Sequence, residues 1–174
     1  IRDRLSSYYS SEENSLKETN FSSYIAVGLW HHYLNFQDKD FLDDLWPILD
    51  KAIEFTLSGQ TEHGDFFWAK GSDGWLDDSL KTGCSSIYMS LICYIKIAKE
   101  LKLSARVSQK QINSLKECIQ KKPQRFDRNW ESKSRYSMDW YYPILAGVLD
   151  KKDSVKCLNA VSYTHLRAHE TNVD

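Results

Sequence analysis

Apolar and polar positions alternate in blocks along the chain. "TNFSSYIAVGLWHHYLNF" is apolar on every face from Tyr24 to Trp30, with Asn20 or Ser22 placed to cap its start. A helix that is apolar all round is buried all round. Only "NFQD" separates it from "KDFLDDLWPILDKAIEFTLSG", where Phe41, Leu45, Leu49, Ile53 and Leu57 recur at helical spacing while Asp43, Asp44, Asp50, Lys51 and Glu54 fill the other faces. This second helix is one-sided. Pro47 predicts a kink or a restart within it, and Gly59 predicts its stop.

The same pair recurs. "TGCSSIYMSLICYIKIAKEL" is again apolar nearly all round, and after "KLSAR" the stretch "VSQKQINSLKECIQKK" is one-sided through Ile112, Leu115 and Ile119. A third buried segment, "PILAGVL", has Pro143 near its predicted start, and "DKKDSVKCLNA" begins another polar-faced helix. Buried and amphipathic helices thus repeat every 55 to 60 residues or so, about the length of one helical hairpin. Surrounded inner helices and half-wet outer ones predict an all-α fold closed as an (α/α) toroid; an open helical-repeat protein is the alternative.

Inner-to-outer connections are short and outer-to-inner ones long: "GQTEHGDFFWAKGSDGWLDDSLK" and "KPQRFDRNWESKSRYS". In a hairpin array the long loops share one end, and these hold Trp68, Trp75 and Trp130. The "KGSDG" turn between aromatic runs predicts a small β-hairpin. An aromatic and acidic rim shared by two loops predicts a binding mouth.

Composition narrows the partners. The formal net charge of −1 and the scattered Lys and Arg give no electrostatic footprint for nucleic acid or an anionic membrane. No apolar run has the length of a membrane span and no leader pattern opens the chain, so a soluble, cytoplasmic protein is expected. Cys84, Cys93, Cys118 and Cys157 lack paired spacing and are expected to be reduced, buried thiols. His31 and His32 are expected as an interior polar pair with ordinary hydrogen bonds. Asp40, Asp43 and Asp44 are expected on a wet helix face near its N-terminus. The division expected is a polar segment at 1–20 that continues something longer, a helical-hairpin unit at 21–158, and a tail at 159–174. That tail, "VSYTHLRAHETNVD" included, resembles translated sequencing-adapter read-through, so the i, i+4 pair His165 and His169 is not read as a metal site.

Trp68, Trp75, Trp130 and Trp140 beside Asp77, Asp78, Glu131, Arg135 and Asp139 make up the inventory of a sugar site. Aromatic faces stack on the C–H faces of pyranose rings, and carboxylates and Arg take the hydroxyls. The alternative is structural: tryptophans pack the loops, carboxylates pair with Arg125, Arg128 and Arg135, and Asp77 and Asp78 cap the following helix. Neither reading calls for a metal or a cofactor.

"ETNFSSYIAVGLWHHYL", "DLWPILDKAIEF", "TGCSSIYMSL" and "WESKSRYSMDWYYPILAG" resemble a bacterial family of six-hairpin glycosidase-like proteins, many of them labelled "prenyltransferase". The resemblance runs from about Lys17 to Asp150 and implies an (α/α)6 toroid of which about three of six hairpins are present. "NWESKSRYSMDW" also resembles glucoamylase-type enzymes, in which a Trp-Glu pair ends the loop before an inner helix and the Glu is the general acid. That implies Glu131 as the acid and Trp130 as the neighbouring sugar contact, with the second carboxylate in a later hairpin. Glycosidic-bond hydrolysis by a full-length form follows, with this fragment itself inactive. A part ring is also expected to expose apolar flanks and self-associate. Two other functions stay open: isoprenoid chemistry in a cyclase-like toroid, for which "DDSLK" lacks the third Asp of a diphosphate site, and a non-catalytic sugar- or protein-binding module.

Overall fold

The computed structural model describes residues 16–134 and 136–159. Five helices carry the fold: α1 (Thr19–Phe36), α2 (Lys39–Ser58), α3 (Lys81–Leu101), α4 (Gln109–Lys121) and α5 (Met138–Leu145), with residues 151–159 also helical. The fold is all-α apart from a small antiparallel sheet of β1 (Lys17–Glu18), β2 (Ala69–Gly71) and β3 (Gly74–Trp75). The hairpin expected at "KGSDG" is β2–β3, with Gly74 at φ +119°, a backbone conformation suited to glycine. Strand β1 lies inside the stretch read as a polar segment, as do Thr19 and Asn20, the first two residues of α1.

Short turns join inner to outer helices. Gln37 (φ 54°) and Lys102 (φ 60°) end α1 and α3 in left-handed caps that reverse the chain. Asp38 then caps α2 by accepting from Phe41 N at 3.0 Å, and Ser108 with Gln111 forms a reciprocal capping box on α4. Both outer helices are one-sided as expected. Leu42, Leu49 and Ile53 of α2 and Ile112, Leu115 and Ile119 of α4 are buried. Phe41 turns out to the solvent side and meets the ring of His32, and α2 runs through Pro47 without a restart.

The inner helices pack on one another. Helix α3 lies between α1 and α5 and touches α2 and α4 behind it. Its Cys84, Ile87, Leu91, Tyr94 and Ile97 are all buried, as are its hydroxyl-bearing Ser85, Ser86 and Ser90. Burial all round, expected for α1 as well, holds only for α3. Helix α1 buries Ala26 and Leu29 but leaves Phe21 67% and Leu34 55% exposed, because no described element covers its far side. Being surrounded depends on having two neighbours, and hydropathy does not report that. Helix α5 departs too: it starts five residues before Pro143, and Gly147 (φ +71°) turns the chain soon after its end.

One ionic cluster fixes the short α3–α4 link. Tyr94 Oη donates to Asp50 Oδ1 at 2.6 Å and accepts from Arg106 N at 3.1 Å, while Arg106 Nε donates to Asp50 Oδ2 at 2.8 Å. The indole of Trp46 stacks on Tyr94 at 5.1 Å. The hydrogen bonds from Arg106 hold the Asp50 carboxyl below its usual range despite partial burial.

The central place of α3 predicts an unequal response to truncation. Leu91→Ala, at a site with no exposure, should cost about 2–5 kcal/mol in denaturant unfolding. Leu145→Ala, at a site 71% exposed, should change it by about 0.5 kcal/mol at most.

Candidate functional site

Two buried carboxylates bind the long loops into one body. Asp65, in the first loop and without exposure, accepts from Arg125 Nε and Nη2 and from Arg128 Nη1, each at 3.2 Å, and takes the Thr61 hydroxyl as well. Burial by itself pushes the Asp65 carboxyl up. The Thr61 hydroxyl and the Arg125 guanidinium outweigh that and hold it below the usual carboxylate range. Asp78 works through the backbone: Oδ1 accepts from Ser79 N at 2.6 Å and Arg128 N at 3.0 Å, and Oδ2 from Asn129 N at 2.7 Å. Asp127 N completes the seam on Ser79 O at 3.0 Å. At Gly64 a Cβ would come within 2.5 Å of Ser114 O, so only glycine lets this loop lie against α4.

This frame sorts the expected sugar ligands. Trp68 and Trp130, one from each loop, meet edge to face at 5.2 Å. Lys133 Nζ lies over the Trp130 ring at 4.4 Å and pairs with Asp127 at 3.2 Å. Glu131 follows on the exposed side of the same loop. Asp77 is exposed and pairs with Arg128 Nη2 at 2.9 Å. Trp75 stands apart: it stacks on Phe55 at 5.5 Å and Phe67 at 5.9 Å and lies against Gly59. It packs the base of the first loop, and both oxygens of Asp78 are occupied by backbone amides, so for these two the structural alternative describes what the side chains touch.

Farther on, Trp140 donates its indole N–H to Ser134 O and steadies the start of α5. Asp139 is buried in the first turn of α5. Burial, then the like charge of Asp127, raises its carboxyl, with Lys81 and Lys133 opposing. Arg135, His165 and His169 lie outside the described residues, as does the tail from 160 onward.

The first turns of α1, α3 and α5 surround an open cavity of about 380 Å³. Asn20, Phe21, Tyr24, Ser86, Met138 and Tyr142 are in its wall. A narrow cleft beside it shares Asn20 and Gly83 and reaches Trp68. Of these wall residues the sequence reading weighed only Tyr142 as a sugar contact, against a structural role. Their signal was the hydroxyls and amide in the opening turns of helices otherwise apolar, and it is masked by the apolar content around them. Glu18 lies nearby, in a polar stretch that gave no signal of its own. It precedes α1, and burial raises its carboxyl while a hydrogen bond with the Trp68 side chain opposes the rise.

The remaining polar groups serve packing. Cys84, Cys93 and Cys118 are buried free thiols, and burial pushes Cys84 up to about 12 and Cys118 to about 11, which makes both poor nucleophiles. His31 is exposed, and His32 sits between the rings of Phe36 and Phe41 at 4.7 and 4.5 Å with Nε2 buried and lacking a hydrogen-bond partner among the described residues. The ordinary hydrogen bond expected of an interior pair is therefore absent at His32 Nε2, which has Asp38 Oδ2 at 3.9 Å. Among the described residues no helix is long and apolar enough to cross a membrane.

Asp65 and Asp139 should titrate with opposite signs. Asp65 is depressed, so its stabilisation is present above the unfolded value of about 3.9 and is lost as pH falls through the folded value. Asp65→Asn should cost about 3–5 kcal/mol at pH 7 and flatten the acid limb of stability against pH. Asp139 is raised, so its charged form opposes folding once pH passes the unfolded value, and Asp139→Asn should raise stability at pH 7. Urea unfolding between pH 3 and pH 7 reads both.

No family model matches the chain. It is 35% identical over 137 residues, 79% of its length, to an MMP endo-(1,4)-3-O-methyl-α-D-mannosidase of Mycolicibacterium hassiacum. A stretch that long within 174 residues necessarily includes both long loops. The chain spans 37% of the length of that relative.

Proposed function

We propose that this chain is the substrate-gripping part of an endo-acting glycoside hydrolase with an (α/α) toroid fold, acting on α-(1,4)-linked hexosyl chains of the kind the relative's name describes. The observation that carries this reading is the Trp68–Trp130 pair, built from two loops locked together and followed at once by Glu131. Similarity to a mannosidase over a stretch that includes both loops supports it.

In this reading a pyranose ring lies on the exposed face of Trp130, which is 38% exposed, and Asp77, Arg135 and Asp139 engage or orient hydroxyls. Glu131 is the general acid. It delivers a proton to the glycosidic oxygen as the C–O bond breaks, and water adds at the sugar carbon, its proton passing to a second carboxylate. That second carboxylate belongs to the remaining hairpins of the ring. The aromatic floor serves binding in either case, and the acid separates a hydrolase from a binding module.

Two substitutions test the reading. Trp130→Ala should weaken binding of a 3-O-methylated α-(1,4)-manno-oligosaccharide to the chain about tenfold in calorimetry. Within a complete ring, Glu131→Gln should lower hydrolysis by about 10²–10⁴-fold with binding retained, read as product lengths by chromatography. Cleavage undiminished by Glu131→Gln would remove it as the acid. Binding without cleavage by the unaltered ring would make the mouth a lectin-like site.

A further inference from the structure

We propose that Lys133 is a positioning residue for the sugar platform: anchored by the Asp127 carboxylate, it seats its ammonium on one face of the Trp130 indole and fixes the plane on which a pyranose stacks. The inference rests on the glycosidase reading and adds to it the residue pair that holds the ring in place.

The anchor is itself tied down. Asp127 has a left-handed backbone (φ 54°), which residues other than glycine rarely adopt, and its amide is committed to Ser79 O at 3.0 Å across the seam. Its side chain, 6% exposed, turns forward along the chain: Oδ2 accepts from Lys133 N at 2.8 Å and Oδ1 from Lys133 Nζ at 3.2 Å. One carboxylate thus closes residues 127–133 into a loop with Trp130 and Glu131 near its middle.

The ammonium has little freedom to leave. Burial, then the charge of Asp127, raises the carboxyl of Asp139, and Lys81 and Lys133 oppose that rise, so Lys133 is tied electrostatically to two carboxylates that repel each other. Held there, its Nζ lies 4.4 Å from the Trp130 centroid, closer than Lys70 to Trp75 at 5.4 Å or Lys96 to Trp30 at 5.5 Å. A cation at that distance is attracted to the ring face. With the edge-to-face contact to Trp68 at 5.2 Å, this gives a 38% exposed indole two fixed neighbours. A ring already held in one orientation loses less rotamer freedom when a ligand stacks on it. Closing the loop needs only the backbone amide of residue 133, so the place of the ammonium over the indole is a separate feature, and it can be removed separately.

The test uses the full chain labelled with 5-fluorotryptophan, the Trp130 fluorine signal being the one lost in Trp130→Phe, and the 3-O-methylated α-(1,4)-manno-oligosaccharide as probe. Lys133→Met keeps the backbone bond to Asp127 and removes only the ammonium. It should move the Trp130 signal and weaken binding about fivefold in calorimetry, and Lys133→Arg, whose guanidinium also stacks on an indole, should restore both. If Lys133→Met fails to fold in a thermal melt, Asp127→Asn decides with the same readouts, since Asn tolerates the left-handed backbone and still accepts from the Lys133 amide. Should Trp130→Ala weaken binding while Lys133→Met leaves signal and affinity unchanged, the proposal is wrong and the glycosidase reading stands. A moved signal with unchanged affinity also overturns it, because the seat of the ring would then not matter to the sugar. Equal losses in Lys133→Arg and Lys133→Met would reduce Lys133 to packing. If the unaltered chain binds no oligosaccharide, the proposal and the reading fall together.

Discussion

A buried carboxylate that two arginines cannot leave is the constraint on which the rest of this structure depends. Asp65 has no exposure and holds Arg125 and Arg128, which lie in the other long loop. A charge so placed is tolerable only with its partners in position, and separating them strands it in the interior. The two loops therefore cannot move independently. Asp78 makes the same demand more locally, since its two oxygens hold three backbone amides from both sides of the seam. Trp68 and Trp130 meet at the far side of this seam, and their geometry is inherited from it.

The helices supply the platform. With α3 enclosed by α1 and α5, the three inner helices present their N-terminal turns at the same end as the long loops. The opposite end carries tight left-handed turns and the Asp50–Arg106–Tyr94 cluster. Connection length thus sets the two ends apart: long loops on one, near-minimal turns on the other. The flank of α1 that carries Phe21 and Leu34 is apolar and exposed, with no described element against it.

Much of this was legible in the sequence. The one-sided patterns of α2 and α4 located their buried stripes, and the "KGSDG" hairpin formed where its turn residues place it, whereas the cap expected of Asn20 or Ser22 is absent because α1 starts earlier, at Thr19, with no side-chain cap. Convergence of Trp68 and Trp130 followed from loop lengths alone. What was not legible had physical reasons. Trp75 and Asp78 carry the right chemistry for a sugar, but which side of a loop they face depends on contacts with Phe55, Phe67 and the amides of residues 128 and 129, far away in sequence. The extent of α1 burial depended on neighbours, and Pro143 was misjudged because eight residues of helix give little periodicity to read. The cavity was invisible because it is made of first turns from three helices, none of which is unusual alone.

The central claim is that ligand binds at the loop end of the inner helices. The most direct measurement is a titration of the isotopically labelled full chain with the 3-O-methylated α-(1,4)-manno-oligosaccharide, followed through backbone amide and indole resonances. The account predicts shifts gathered at the Trp68 and Trp130 indoles and the opening residues of α1, α3 and α5, with the Asp50–Arg106 end unmoved. Shifts centred on that opposite end, or none at saturating sugar, would contradict it.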